Sequence, residues 1–336
     1  MKTCAWTTIA LLIVLVSCTK QENEPKAEVV TADPLPSWNE GASKKAIIDF
    51  VTKTTTKGTT DFIPVTDRIA CFDNDGTLWS EQPMYFQFIF ALDRIKELAP
   101  QHPEWQNQEP FSFILKGDIK SALAEGEKAL MQLVAATQTG MSIEEFEAET
   151  KKWIATAKHQ KFDRPYTEMI FQPMLELLNY LRANEYKTFI VSGGEEGFMC
   201  AWTEKTYGIP CEQVVGTLMR STYEVVNDTP RIVRQAELEL MNDGKGKPVS
   251  IYNQIGKRPV FTAGNSDGDY EMLQWTTTAS GYPRFGMIVH HTDSVREWAY
   301  DRTSHIGHLE RGLDDASRYN WVIVDMKNDW KEIFGK

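Results

Sequence analysis

The sequence predicts an α/β protein, a parallel sheet covered by helices on both faces and interrupted near its start by an all-helical insert. Three observations carry that expectation. Oily, β-branched runs alternate with helical periodicities, which is how strands buried on both faces of a parallel sheet read. Three of those runs end in polar turns, DNDGT at 73–77, SGG at 192–194 and GNSDGD at 264–269. Residues 80–163 between the first turn and the return of strand signals show only helical spacing.

Taken in order, the chain opens with a lone Lys2, a short apolar stretch from Ile9 to Val16, and Leu15-Val16-Ser17-Cys18. A segment this brief reads as a signal-peptide core rather than a spanning helix. The small residues before Cys18 resemble a bacterial lipobox, so residues 1–17 are expected to be a leader and Cys18 an acylated anchor to a lipid bilayer. An ordinary secretory signal with an incidental cysteine is the plainer alternative. Residues 18–37 are polar, proline-punctuated and aperiodic, as a flexible tether would be.

Folded structure is expected from Trp38, with Ile47, Phe50 and Val51 on one face of a first helix. The strand Ile69–Phe72 follows. In the insert, Met84, Phe88, Leu92 and Ile95 recur at helical spacing, as do Phe111, Leu115 and Ile119, then Leu130, Leu133 and Val134, then Ile143, Phe146, Trp153 and Ile154. Ser142 with Glu145 three residues on has the pattern of a capping box. Pro173 suits the first turn of a helix carrying Met174, Leu177, Leu178 and Leu181. Strand signals then return in KTFIVSGG, CEQVVGTLM, RPVFTAGNSDGD, RFGMIVHH and WVIVDM, and residues 220–243 read as a polar hairpin or meander. The expected organisation is a core of residues 38–79 plus 164–336, with 80–163 as a helical cap.

The first polar turn poses a chemical problem. Asp73 and Asp75 follow a buried-type strand with one residue between them, and two close carboxylates repel unless positive charge separates them. In an open parallel sheet ligands bind beyond the carboxyl ends of the strands, so the three polar turns converge there. Magnesium is the economical counter-charge, because it favours carboxylate oxygen. Lys247, before the third loaded strand, adds a fixed cation; Lys245 competes with it. The net charge of −11 disfavours nucleic acid as a partner.

This set of motifs resembles the haloacid dehalogenase-like phosphohydrolase superfamily: D-x-D-G-T, a serine after an oily strand, a lysine, then an acidic loop, in that order over residues 69–269. The resemblance implies a Rossmann-like core with a helical cap like that of phosphoserine phosphatases. It also implies Mg²⁺-dependent hydrolysis of small phosphate monoesters through an aspartyl phosphate. Asp73 is then the nucleophile and Asp75 the acid and base. Thr77, Ser192, Gly193 and Lys247 would bind phosphate, and Asp73, Asp75, Asn265 and Asp269 the metal. Asn265 departs from the family pattern, which has an acid there, and Asp267 is a competing ligand. Asp75 points away from dehalogenases and ion pumps. A phosphotransferase or phosphomutase, or a silent lipoprotein that binds phosphorylated ligands, are the alternatives. A calcium loop at 265–276 fails, because Tyr270 and Thr276 stand where glycine and glutamate are needed.

Trp79 and Glu81, directly after the first motif, are expected to face substrate; Glu81 is offset by one from the usual phosphoserine phosphatase spacing. His290 and His291 end a strand at the same edge, facing the site or serving structure. Cys200 and Cys211 are close enough in sequence to bridge. The expected address is an exported lipoprotein, periplasmic or anchored in an outer membrane.

Overall fold

The structure, a computed structural model, describes residues 33–335 apart from 123, 125 and 126. The expected leader, Cys18 and most of the tether lie outside the described residues. Among the described residues no helix is long and apolar enough to cross a membrane.

Packing begins a little earlier than expected. Leu35 and Trp38 are fully buried, and the Ser37 N–H donates to Glu176 Oε2 at 2.9 Å, so Pro34–Ser37 belongs to the folded body and not to a tether. Helix α1 (Ala42–Thr55) buries Ile47, Phe50 and Val51 as its spacing predicts. The strands are β1 (Ile69–Phe72), β2 (Lys158–His159), β3 (Arg164–Pro165), β4 (Lys187–Glu195), β5 (Val214–Val226), β6 (Thr229–Leu240), β7 (Phe261–Gly264), β8 (Phe285–His290) and β9 (Val322–Asp325).

Seven of them form one sheet in the order β6-β5-β4-β1-β7-β8-β9. All neighbours are parallel except β5 and β6. The loaded strand β1 sits in the middle, with all four residues buried. Because β1, β4 and β7 are parallel, their carboxyl ends share one edge, and that edge collects the three polar turns.

The insert supplies α2 (Phe86–Leu98), α3 (Phe111–Leu115), α4 (Ile119–Ala122), α5 (Glu127–Gln138) and α6 (Ile143–Ile154). Leu92, Ile95, Trp105, Phe111, Ile114, Ala122 and Leu133 make a small apolar core of its own. The opposite face of α2 sends Phe86 and Phe90 into the main core. Ser142 and Glu145 form the expected capping box on α6, while Ile143, expected on the apolar face, is exposed. The insert is not free of strand: β2 pairs antiparallel with β3 just past its end. Helices α7 (Gln172–Ala183), α8 (Glu196–Cys200), α9 (Thr203–Tyr207), α10 (Gly246–Ser250), α11 (Tyr270–Thr277), α12 (Arg311–Tyr319) and α13 (Met326–Asp329) complete the chain, with Pro173 in the first turn of α7.

The polar hairpin expected at 220–243 is longer than its sequence suggests. It is β5 and β6, joined at Asn227-Asp228, both at positive φ, the geometry of a tight hairpin turn. The amino-terminal half of β5 is buried in the parallel sheet and its far half is exposed. One strand therefore serves both the core and a wall beside the insert, where Ser142 bridges to Val233 of β6.

Candidate active site

Asp73 leaves β1 still in register, its N–H donating to Ala263 O of β7 at 2.9 Å. The chain then turns sharply: Asn74 O accepts from the N–H groups of Thr77, Leu78 and Trp79 at 3.1, 2.8 and 3.3 Å. Gly76 has φ +74°, and a Cβ there would lie 2.0 Å from Asn265 Nδ2 and 2.4 Å from Glu81 Oε1. Only glycine fits that turn without displacing both neighbours.

Lys247, entering from the short helix α10, places Nζ 2.6 Å from Asp73 Oδ1 and 2.6 Å from Asp269 Oδ1. It is buried and Lys245 is exposed, which decides between the two lysines. Burial works against the Lys247 ammonium, but Asp269 and Asp73 outweigh it and hold the group charged. Ser192 and Gly193, at the end of β4, line the same cavity as Asp73, Asp75 and Lys247. Ser192 Oγ accepts from the Gly194 N–H at 3.0 Å, which leaves its own proton free to donate.

Asp75 accepts from Trp79 Nε1 at 2.8 Å. Burial pushes its carboxyl up to about 6, against the indole bond and the Lys247 charge. A carboxyl near that value can hold a proton and give it up around neutrality. Trp79 itself does not face the cavity, contrary to expectation. It is buried, stacked on Trp202 at 4.2 Å between ring centres and edge-on to Phe86 at 4.7 Å. Large apolar area keeps the ring in the core, and only its N–H reaches the site.

Glu81 does line the cavity. Its Oε1 accepts from Asn265 Nδ2 at 2.7 Å and from Tyr300 Oη at 2.8 Å. Thr77 Oγ1 donates to Asn265 Oδ1 at 3.2 Å, so Thr77 fixes Asn265 and does not line the cavity as a phosphate ligand. Asp269, expected to bind metal, has both oxygens committed. Oδ1 holds Lys247, and Oδ2 accepts from the N–H groups of Asn265 and Ser266 at 2.9 and 3.1 Å. Asp267 points elsewhere, accepting from the N–H groups of Glu310, Arg311 and Gly312 at the start of α12.

Asp73 and Asp269 thus hold the Lys247 ammonium between them, while Asp75 and Glu81 add two more buried or half-buried carboxylates to the same cavity or its edge. Burial holds Asp73 and Glu81 well above the usual carboxylate range; Asp269 adds to this at Asp73, and Asp75 and Asp73 add to it at Glu81. That surplus of negative charge fits a divalent cation. Among the described residues no three His, Cys, Asp or Glu side chains gather as a metal site. Asp73 and Asp75, which line the cavity, could hold such a cation, with Asn265 beside them held by Thr77 and Glu81.

Of the two histidines expected at this edge, His291 is buried behind the turn, its Nε2 2.7 Å from Gly76 O and its Nδ1 3.2 Å from Glu297, so it braces the loop from below. His290 faces Asp301. Glu195 and Gln87 line the cavity, tied by Glu195 N–H to Gln87 Oε1 at 2.8 Å. Arg234 of β6 donates to Glu195 Oε1 at 2.7 Å. Sequence reasoning missed Glu195, Gln87 and Arg234, because none sits at a motif spacing and Arg234 meets Glu195 only through the fold. Cys200 and Cys211 are bridged, with Cα atoms 4.7 Å apart.

Among solved structures, the fold resembles a protein of unknown function from Bordetella pertussis Tohama I, with 15% identity over 77% of this chain and 99% of that one and a TM-score of 0.47. A functionally unknown protein from Anaerococcus prevotii DSM 20548 gives 15% identity, 75% and 86% coverage and 0.45. A phosphoserine phosphohydrolase-like protein from Francisella tularensis subsp. tularensis SCHU S4 gives 13%, 75%, 98% and 0.37. No curated protein matches. The haloacid dehalogenase-like hydrolase model matches residues 70–274, a span of more than half the chain that begins inside β1 and ends in α11. The chain belongs to the haloacid dehalogenase-like hydrolases.

Proposed function

We propose that this hydrolase cleaves small phosphate monoesters through an aspartyl phosphate on Asp73. One observation carries the reading: Asp73, held by Lys247, and Asp75, with its raised pKa, open into one cavity of about 340 Å³ beside Ser192 and Gly193. An Asp73 oxygen attacks phosphorus while the ester oxygen leaves with the Asp75 proton. Water then attacks the phosphoenzyme, Asp75 takes its proton, and phosphate departs with Asp73 restored. Ser192, the Gly193 amide and Lys247 face the phosphoryl oxygens. When bound, Mg²⁺ supplies further positive charge at those oxygens, with Asp73, the Asp75 carbonyl and Asn265 as its protein donors.

Asp73→Asn should lower p-nitrophenyl phosphate hydrolysis by at least about 10³-fold, with an unchanged circular dichroism spectrum. Near wild-type turnover by that variant would overturn the covalent route. We further propose an exported, lipid-anchored protein. The lipobox-like Leu15–Cys18 and the Cys200–Cys211 bridge, at home in an oxidising compartment, support it. Cys18→Ala should then shift the protein from the membrane to the soluble fraction.

A further inference from the structure

The cavity has two unlike ends. Its floor carries Asp73, Asp75, Ser192 and Lys247, and its far wall carries Phe88 and Ala91 of α2, Val134 of α5, Met219 of β5, Leu238 of β6 and Met241. Of the described residues that line it, Lys247 alone is positively charged, and its Nζ is already shared by Asp73 and Asp269. Three carboxylates beyond the two aspartates of the motif, Glu81, Glu195 and Asp243, also face it.

The cation bonded to the lining residue Glu195 is turned away from the cavity. Arg234 is buried behind Glu195, bonded to Glu195 and to Gln138, with its guanidinium 3.9 Å over the Phe146 ring. It neutralises Glu195 and does not line the cavity. A negatively charged group on the leaving alcohol would therefore meet apolar surface, carboxylates and the neutral side chains of Tyr85, Gln87 and Gln138, with no free cation among the described lining residues to offset its desolvation.

We infer that the substrate is a phosphate monoester whose alcohol carries no negative charge, is neutral or cationic, and presents apolar surface to the Phe88–Met219–Leu238 wall. The inference rests on the phosphomonoesterase reading and narrows it. Carboxylated esters such as O-phosphoserine, and sugar bisphosphates, fall outside the class.

The test is steady-state kcat/KM for benzyl phosphate, O-phosphoethanolamine and O-phosphoserine at saturating Mg²⁺, with p-nitrophenyl phosphate as the reference. O-phosphoethanolamine is O-phosphoserine without its carboxylate, so that pair isolates the charge. Benzyl phosphate and O-phosphoethanolamine should each exceed O-phosphoserine by about 10²-fold. Met219→Arg, or Met241→Lys at a more exposed position, should narrow the gap at least about tenfold by giving the carboxylate a partner. A preference for O-phosphoserine, or an unchanged gap in both folded variants, would overturn the inference while leaving the phosphatase reading standing. Failure to hydrolyse any of the four esters would overturn both.

Discussion

Asp75 and Glu81 are both carboxylates on the cavity wall within a few residues of Asp73, yet their partners give them different work. Asp75 has one anchor, the Trp79 indole, and keeps an oxygen toward the cavity. Asp75→Asn should therefore lose far more kcat on alkyl phosphates than on p-nitrophenyl phosphate, whose phenolate leaves without a proton; equal losses would remove Asp75 from the acid role. Glu81 is bonded to Asn265 and Tyr300, and it sets a carboxyl group beside Asn265 where the loop itself has none. Glu81→Gln should weaken Mg²⁺ binding, read by calorimetry, by roughly tenfold, the scale on which partners of metal ligands act. Adding Asn265→Asp to that variant should recover most of the loss. The residues legible in sequence were those that chemistry fixes at set spacings: Asp73, Asp75, Ser192, Gly193 and Lys247. Trp79 was placed near the right atoms but facing the wrong way, and the Asp269 oxygens meet Lys247 and two backbone N–H groups, because adjacency to a motif does not say which way a ring or a carboxylate points.

At the level of elements, the capping box on α6 and the proline at the start of α7 were readable because they are local devices. The union of β5 with the cap was not, because its exposed half follows no burial pattern and its partners are remote in sequence. Arg234 shows what that union holds together. Its ion pair with Glu195 is buried on both sides, so Arg234→Met should cost about 3–5 kcal/mol by stranding a buried carboxylate. Adding Glu195→Gln should return much of it, as urea titrations of the single and double variants would measure. If the single variant lost no stability, the pair would not be a tie between hairpin and core.

Across the whole molecule, two features set how stability responds to conditions. His159 is buried, with the Lys161 N–H donating to its Nδ1 at 3.1 Å and its Nε2 2.9 Å from Gln82 O, an arrangement for the neutral ring. Burial accordingly lowers its pKa. Below its ordinary value of about 6.5 the unfolded chain binds a proton that the fold resists, so this contribution is present above that pH and is lost on acidification. Melting temperature should fall between pH 7 and pH 5, and fall less in His159→Gln. The Cys200–Cys211 bridge closes a loop with a sequence separation of 11, and its removal by paired serine substitutions should cost roughly 3 kcal/mol of stability. Fold class was the most legible quantity of all, since alternating oily runs and helical periods are distributed along the entire chain. The start of the folded body was less so, because Leu35 looks like part of the polar segment that precedes it.

The long strand β5 has a consequence for how the enclosure breathes. Its Thr217 hydroxyl donates to Gly193 O at 2.8 Å and accepts from the Asn242 N–H at 3.1 Å, and two residues further on Met219 joins the far wall. That half of the enclosure is stiffened by the central sheet and acts as a fixed gauge. The half built by α2 and α5 leans on a small local core and is the compliant side. Amide hydrogen exchange should accordingly report slow opening along Val215–Thr217 and faster opening along α5. Selection by length of the alcohol would then be set against the strand, while the helices give way to admit it.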